Sequence, residues 1–143
     1  MSTKSRRSWQ GRAILASVVI PPLVHLVRMD RLTGWLASPR GRGRPASPPG
    51  DEELAWWVDR VLRLLPWPWR RTCLKRSVVL FYLLGRAGRP AQLNIGVRRG
   101  PGDPLEAHAW LVRDGAVILE PRSSDVSTFE TIALFPETRR GAS

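Results

Sequence analysis

Three residue types in this 143-residue chain could do chemistry together: a thiol, an imidazole and a carboxylate. Cys73 is the only cysteine, and it stands in RRTCLKRSVV, at the predicted start of a helix and directly after a run of basic residues. The positive end of a helix dipole, with Arg70, Arg71, Lys75 and Arg76 close in sequence, favours negative charge on sulfur, and the thiolate is the nucleophilic form. A lone cysteine is more often a small buried apolar residue, so its position alone leaves both readings open. His108 lies between two alanines in AHAW, whose small side chains leave room for a ring to face a sulfur. Glu120 closes AVILE. With Asp114-Gly115 as a tight turn, residues whose numbers sum to about 229 face one another, which places Glu120 opposite Ala109 and beside His108. A carboxylate there can hold one ring nitrogen and fix the imidazole's orientation. Thiol, imidazole and acid form the set that nucleophilic cysteine chemistry requires. The competing readings are a strand histidine satisfied by structure and an exposed strand-end acid.

Such a set needs a helix start and a hairpin to position it, and both are legible. DEELAWWVDRVLRLLP opens with three acids, which suit a helix N-terminus. Leu54, Trp57, Val58, Val61, Leu64 and Leu65 recur at helical spacing before Pro66 and Pro68 end the run. Thr72 is the expected N-cap of the next helix, with Leu74, Val78, Phe81, Tyr82 and Leu84 or Gly85 on one face and Gly88 and Pro90 as stops. After Pro90 the period changes to two: AQLNIGVRR, AHAWLVR and AVILEP read as strands, the last two joined by Asp114-Gly115, and STFETIALFP can add a fourth. Residues 8–37 read as short helices, the first capped by Ser8 and broken at Pro21-Pro22. SPRGRGRPASPPG, residues 38–50, has a linker's composition. The expected organisation is an N-terminal helical region at 1–37, a Pro/Gly/Arg-rich linker at 38–50 and a core at 51–143.

The hydrophobic fraction of 43% fits a globular chain with one core. One cysteine rules out an internal disulfide and a cysteine-rich zinc site, and no cofactor or metal is expected. The formal net charge of +11 points to an acidic partner or to arginine-rich codon usage. Seven tryptophans are large apolar anchors that need a core or a partner. The stretch SRRSWQGRAILASVVIPPLVHLV has the outline of a twin-arginine export signal, but its apolar run is interrupted by Pro21, Pro22 and His25 and has no A-x-A cleavage site. The expectation is therefore a cytoplasmic protein without membrane contact.

CLKRSVVLFYLLGRAGRPAQLNIGVRRG followed by AHAWLVRDGAVILE resembles the transglutaminase-like, papain-related cysteine proteases that remove leader peptides in lasso-peptide biosynthesis. The resemblance is to their stand-alone protease form. It runs from about Pro66 to Glu120 and rests on Cys-Leu-x-Arg-Ser, on Gly88, Pro90, Ala91, Leu93, Ile95, Gly96 and Val97, and on Ala-His-Ala-Trp. It implies an α+β fold: N-terminal helices plus a small papain/transglutaminase-like core with a nucleophile helix and an antiparallel sheet. It further implies Cys73 as nucleophile, His108 as base and the third-strand acid as orienter. That acid is usually Asp and here is Glu120, and many relatives carry Glu where this chain has Val112. The implied partners are a precursor peptide as substrate, a small leader-binding protein (a RiPP recognition element) and the ATP-dependent cyclase that closes the macrolactam.

Three other readings fit parts of the sequence. Acyl transfer on the same Cys-His-acid set differs only in what resolves the acyl-enzyme. A basic, tryptophan-rich nucleic-acid-binding module fits the charge, but no DNA- or RNA-binding motif is present and no nucleic acid is expected. A scaffolding subunit that has lost activity is disfavoured by the retained Cys73 and His108.

Overall fold

The computed structural model describes residues 3–37, 49–66, 73–99, 102, 105–120 and 126–135. Four helices precede a four-stranded antiparallel sheet: α1 (Thr3–Leu26), α2 (Met29–Ala37), α3 (Asp51–Leu64), α4 (Cys73–Arg86), β1 (Gln92–Arg98), β2 (Glu106–Arg113), β3 (Ala116–Ile118) and β4 (Glu130–Phe135). The strand order is β3-β2-β1-β4. The fold is α+β, as the sequence implied, and the fourth strand forms at the β1 edge. No helix among the described residues is long and apolar enough to cross a membrane.

Helix α4 is the centre of the molecule. Every residue from Lys75 to Phe81 is buried, as are Leu83 and Leu84. It packs on α1, α2 and α3 on one side and on β1 and β2 on the other, so it needs apolar residues around most of its girth rather than on one stripe. Burying Val78, Val79, Leu80, Phe81, Leu83 and Leu84 contributes roughly 1.5–3 kcal/mol per side chain. The helix ends in a Schellman turn: Arg89 N–H donates to the Leu84 carbonyl and Gly88 N–H to the Gly85 carbonyl, with Gly88 at φ +78°. Thr72, the expected cap of α4, lies outside the described residues, as do residues 38–48 of the expected linker.

The N-terminal segment departs from its local signals. Helix α1 begins before Ser8 and continues through Pro21 and Pro22. Each proline removes a backbone donor, but its fixed φ is itself helical. The face formed by Trp9, Ala13, Ala16 and Ile20 is buried against the rest of the core, and tertiary packing of this kind outweighs local propensity. In α3, Leu54, Trp57 and Val58 are buried as the spacing indicated, but Leu62 rather than Leu64 continues the face, and Leu64 is 78% exposed. Trp9 and Trp57 are core residues, so these two tryptophans serve the fold rather than a partner surface.

Two ion-pair clusters tie helices to each other and to the sheet. Arg76 of α4 donates to Asp59 of α3 at 2.7 Å, largely out of solvent. Asp51 at the start of α3 accepts from Arg113 of β2 at 2.5 Å. Arg89 Nε lies 3.0 Å from the other carboxylate oxygen, off the hydrogen-bonding axis, so charge rather than a hydrogen bond holds that contact. Arg113 also donates to the Arg89 carbonyl at 2.6 Å. Asp51→Ala should therefore lower unfolding stability by about 1–3 kcal/mol in a urea titration. Removing the exposed Arg6–Glu53 pair by Glu53→Ala should cost less than about 0.5 kcal/mol.

Candidate active site

The hairpin builds the histidine side of the site. Asp114 and Gly115 take φ +51° and +78°, the two left-handed positions of a type I′ turn. Leu111 then pairs with Ile118, Val112 with Val117 and Arg113 with Ala116, the register expected from the turn. β3 stops at Ile118, short of the predicted end at Glu120, and leaves one edge of β2 open at residues 108 and 109. Two groups fill that opening. Ser77 of α4 donates its hydroxyl to the Ala109 carbonyl at 3.1 Å, a buried bond. Glu120 Oε2 lies 2.9 Å from His108 Nε2, with the side chains 12% and 16% exposed. A carboxylate only accepts, so Nε2–H is the donor, and in the neutral ring Nδ1 carries the lone pair.

Cys73 is the first residue of α4 and half-buried. It precedes Ser77 by four residues, hence lies on the same helix face one turn earlier. The helix end that carries the thiol is thus anchored to the strand that carries the imidazole, through the residue next to His108. Cys73 and His108 are not hydrogen-bonded to one another; the bond formed is that between His108 and Glu120. Among the basic residues near Cys73, Arg76 is committed to Asp59, Lys75 is buried, and Arg70 and Arg71 lie outside the described residues. Of the other acids, Asp114 is in the hairpin turn and Asp125 lies outside the described residues.

An aromatic wall holds the imidazole in place. His108 stacks on Trp110 (ring centroids 5.9 Å apart, planes 20° apart) and lies 5.2 Å from Phe129, which is capped by the Arg98 guanidinium at 4.5 Å. Arg98 is itself fixed by Thr128 and Glu106. The alanines that flank His108 point to the other face, where Ala109 is in the core. Gly96, which pairs with His108 on β1, instead leaves room for the Trp110 indole on which the imidazole stacks. A Cβ at Gly96 would sit 2.7 Å from Trp110 Cη2 and 2.9 Å from the Glu130 carbonyl oxygen, at the irregularity in the β1–β4 register. Ser77, Trp110 and Gly96 could have been suspected from i+4, i+2 and strand-glycine signals; Phe129 carries none.

The transglutaminase-like superfamily description matches residues 16–134, and the chain belongs to that superfamily. The match begins within α1 and takes in α2, α3, α4 and all but the last residue of the sheet. No curated protein and no solved structure matches significantly. Membership supports a cysteine protease or acyltransferase type of activity, which the thiol, imidazole and acid are equipped to perform.

Gly96→Ala should displace Trp110 or the β4 backbone and destabilise the chain by about 1–3 kcal/mol. Thermal unfolding checks this, with Gly85→Ala, where an added methyl meets nothing within 4 Å, as the comparison that does not lose stability.

Proposed function

We propose that this chain is a cysteine endopeptidase that removes the leader from a ribosomally made precursor peptide during lasso-peptide maturation. The observation that carries the chemistry is the His108–Glu120 bond, which leaves Nδ1 free at the strand anchored to the Cys73 helix. The leader-peptidase specificity rests on the sequence resemblance over residues 66–120. In this reading His108 Nδ1 takes the proton of the Cys73 thiol as sulfur attacks the scissile carbonyl carbon. The tetrahedral oxyanion is stabilised by the Cys73 backbone N–H, which has no intrahelical acceptor at the first position of α4. His108 then gives the proton to the departing α-amine, leaving a thioester that water, deprotonated by the same imidazole, hydrolyses. Glu120 orients the ring and stabilises its protonated form. The Trp67–Trp69 stretch considered for a second oxyanion donor lies outside the described residues. Superfamily membership equally supports acyl transfer, in which an amine replaces water at the thioester, and a product assay with and without added amine separates the two.

The partners in this reading are the precursor, a small leader-binding protein and the macrolactam-forming cyclase, in the cytoplasm. Against a nucleic-acid role, Arg6, Arg76, Arg89, Arg98 and Arg113 are engaged with carboxylates of the chain itself, which supports a structural use for part of the positive charge.

Cys73→Ala should abolish precursor cleavage, and iodoacetamide should modify Cys73 faster than a model thiol at neutral pH; cleavage that survives the substitution would sink the mechanism. His108→Ala should lower kcat by a factor of ~10³ or more, nearly as much as loss of the thiol, because the two act as a unit. Glu120→Gln should retain more activity than Glu120→Ala. The leader-binding partner should act mainly by concentrating the scissile bond. Initial rates against precursor concentration, with and without the partner, should therefore converge as precursor rises. Full-speed, leader-specific cleavage by the isolated chain at low precursor would place recognition within these residues instead.

A further inference from the structure

Regular strand geometry would send Glu120 to the wrong side of the sheet, and we infer that the left-handed conformation of Leu119 is the device that aims its carboxylate at His108. The inference takes from the proposed function only that Glu120 serves by holding the imidazole; the contact itself is present without any assumption about catalysis.

The hairpin register defines what an unbroken β3 would do. Leu111 pairs with Ile118, and residues paired across strands share a face. Leu111 is in the core and Ile118 packs against it. Side chains alternate along a strand, so residue 119 would turn away from the core and residue 120 would turn back into it, beside Ala109. His108 is on the opposite face, stacked on Trp110. An unbroken strand would thus bury the carboxylate among apolar side chains and leave the imidazole without it.

The observed arrangement is shifted by one residue. Leu119 packs on the core directly after Ile118, so two successive side chains point the same way. Glu120, next in line, lands on the His108 face and bonds Nε2. The break coincides with Leu119 at φ +59°. Among the described residues only one other non-glycine residue has a positive φ, Asp114, where the type I′ turn demands it. Leucine is poorly suited to that region, and Leu119 serves no such turn. It combines an apolar side chain seated on the core with a backbone that reverses the facing of the next residue. Leu119 is accordingly a positioning residue for the His108–Glu120 pair.

Two substitutions separate the backbone conformation from the side chain. Leu119→Val keeps an apolar group but is β-branched and resists positive φ. Leu119→Gly gives up the side chain but adopts positive φ freely. The first readout is independent of activity: nitrogen-15 NMR of the imidazoles in the full chain, which has only two histidines, with Glu120→Ala defining the signal of a released His108. Leu119→Gly should keep the native His108 signature, and Leu119→Val should show the released one. If Leu119→Val does not fold, the Leu119→Gly spectrum decides. The second readout is precursor cleavage: Leu119→Val should fall to within about twofold of Glu120→Ala, and adding Leu119→Val to Glu120→Ala should cost no more than that margin. A native His108 signature in folded Leu119→Val, its loss in Leu119→Gly, or an equal cost of Leu119→Val with and without Glu120 would overturn the inference. Should the chain cleave no peptide, the proposed function fails and the spectra still judge Leu119.

Discussion

Helix α4 is enclosed by three helices and two strands, and the remaining structure is arranged to satisfy it. Its sides are dry from Lys75 to Phe81, so its axial position is set by packing and by a few polar groups that have to find partners. Two of these matter most. Arg76 is neutralised by Asp59, which locks α4 to α3. Ser77 is satisfied by the Ala109 carbonyl, which locks α4 to β2. Breaking either would leave a buried polar group unpaired, a penalty larger than the bond itself is worth when made. Because Cys73 begins this helix, the same anchoring that stabilises the core also places the thiol.

The opening in β2 is the second structural condition. A full-length β3 would cover the edge of β2 at Ala109 and satisfy that carbonyl by a ladder hydrogen bond. The short β3 instead gives the carbonyl to Ser77 and the adjoining space to Glu120. The helix and the acid therefore reach adjacent residues of β2, Ala109 and His108, from different elements. The imidazole between them is confined by stacking on Trp110 and by the tilted ring of Phe129, and the indole lies where a side chain at Gly96 would collide with it. Orientation of His108 is thus determined by one hydrogen bond and two rings.

The chain's excess of arginine takes on a different meaning in three dimensions. Several guanidiniums are structural ties between elements far apart in sequence, with Asp51 joining α3 to both the α4–β1 connection and β2. Arg98 braces Phe129 through its ring and Glu106 through its charge. Net charge computed from composition cannot distinguish such committed cations from those left to meet a partner.

Local signals carried much of the architecture. The helical period of α3 and α4, the change to period two after Pro90 and the Asp114-Gly115 turn depend on neighbours within a few residues. From them the α+β class, four strands and the hairpin register could be read, and with the register came the nearness of His108 and Glu120. What lay beyond reach was decided by contacts between distant segments. Helix α1 runs through Pro21 and Pro22 because its Trp9–Ile20 face is buried by other helices. The alanines beside His108 face away from the ring, with Ala109 in the core, and the wall around the ring comes from Trp110 and from Phe129 on a different segment. Turn chemistry set which residues stand opposite, but not that the alternation slips at Leu119, since whether a leucine takes a left-handed conformation depends on the core that receives its side chain. Residue types and short-range spacing are enough to say which groups are available and which strand and helix carry them. The side to which Glu120 turns follows from packing on both faces of the sheet, a property of several segments together and not of any one of them.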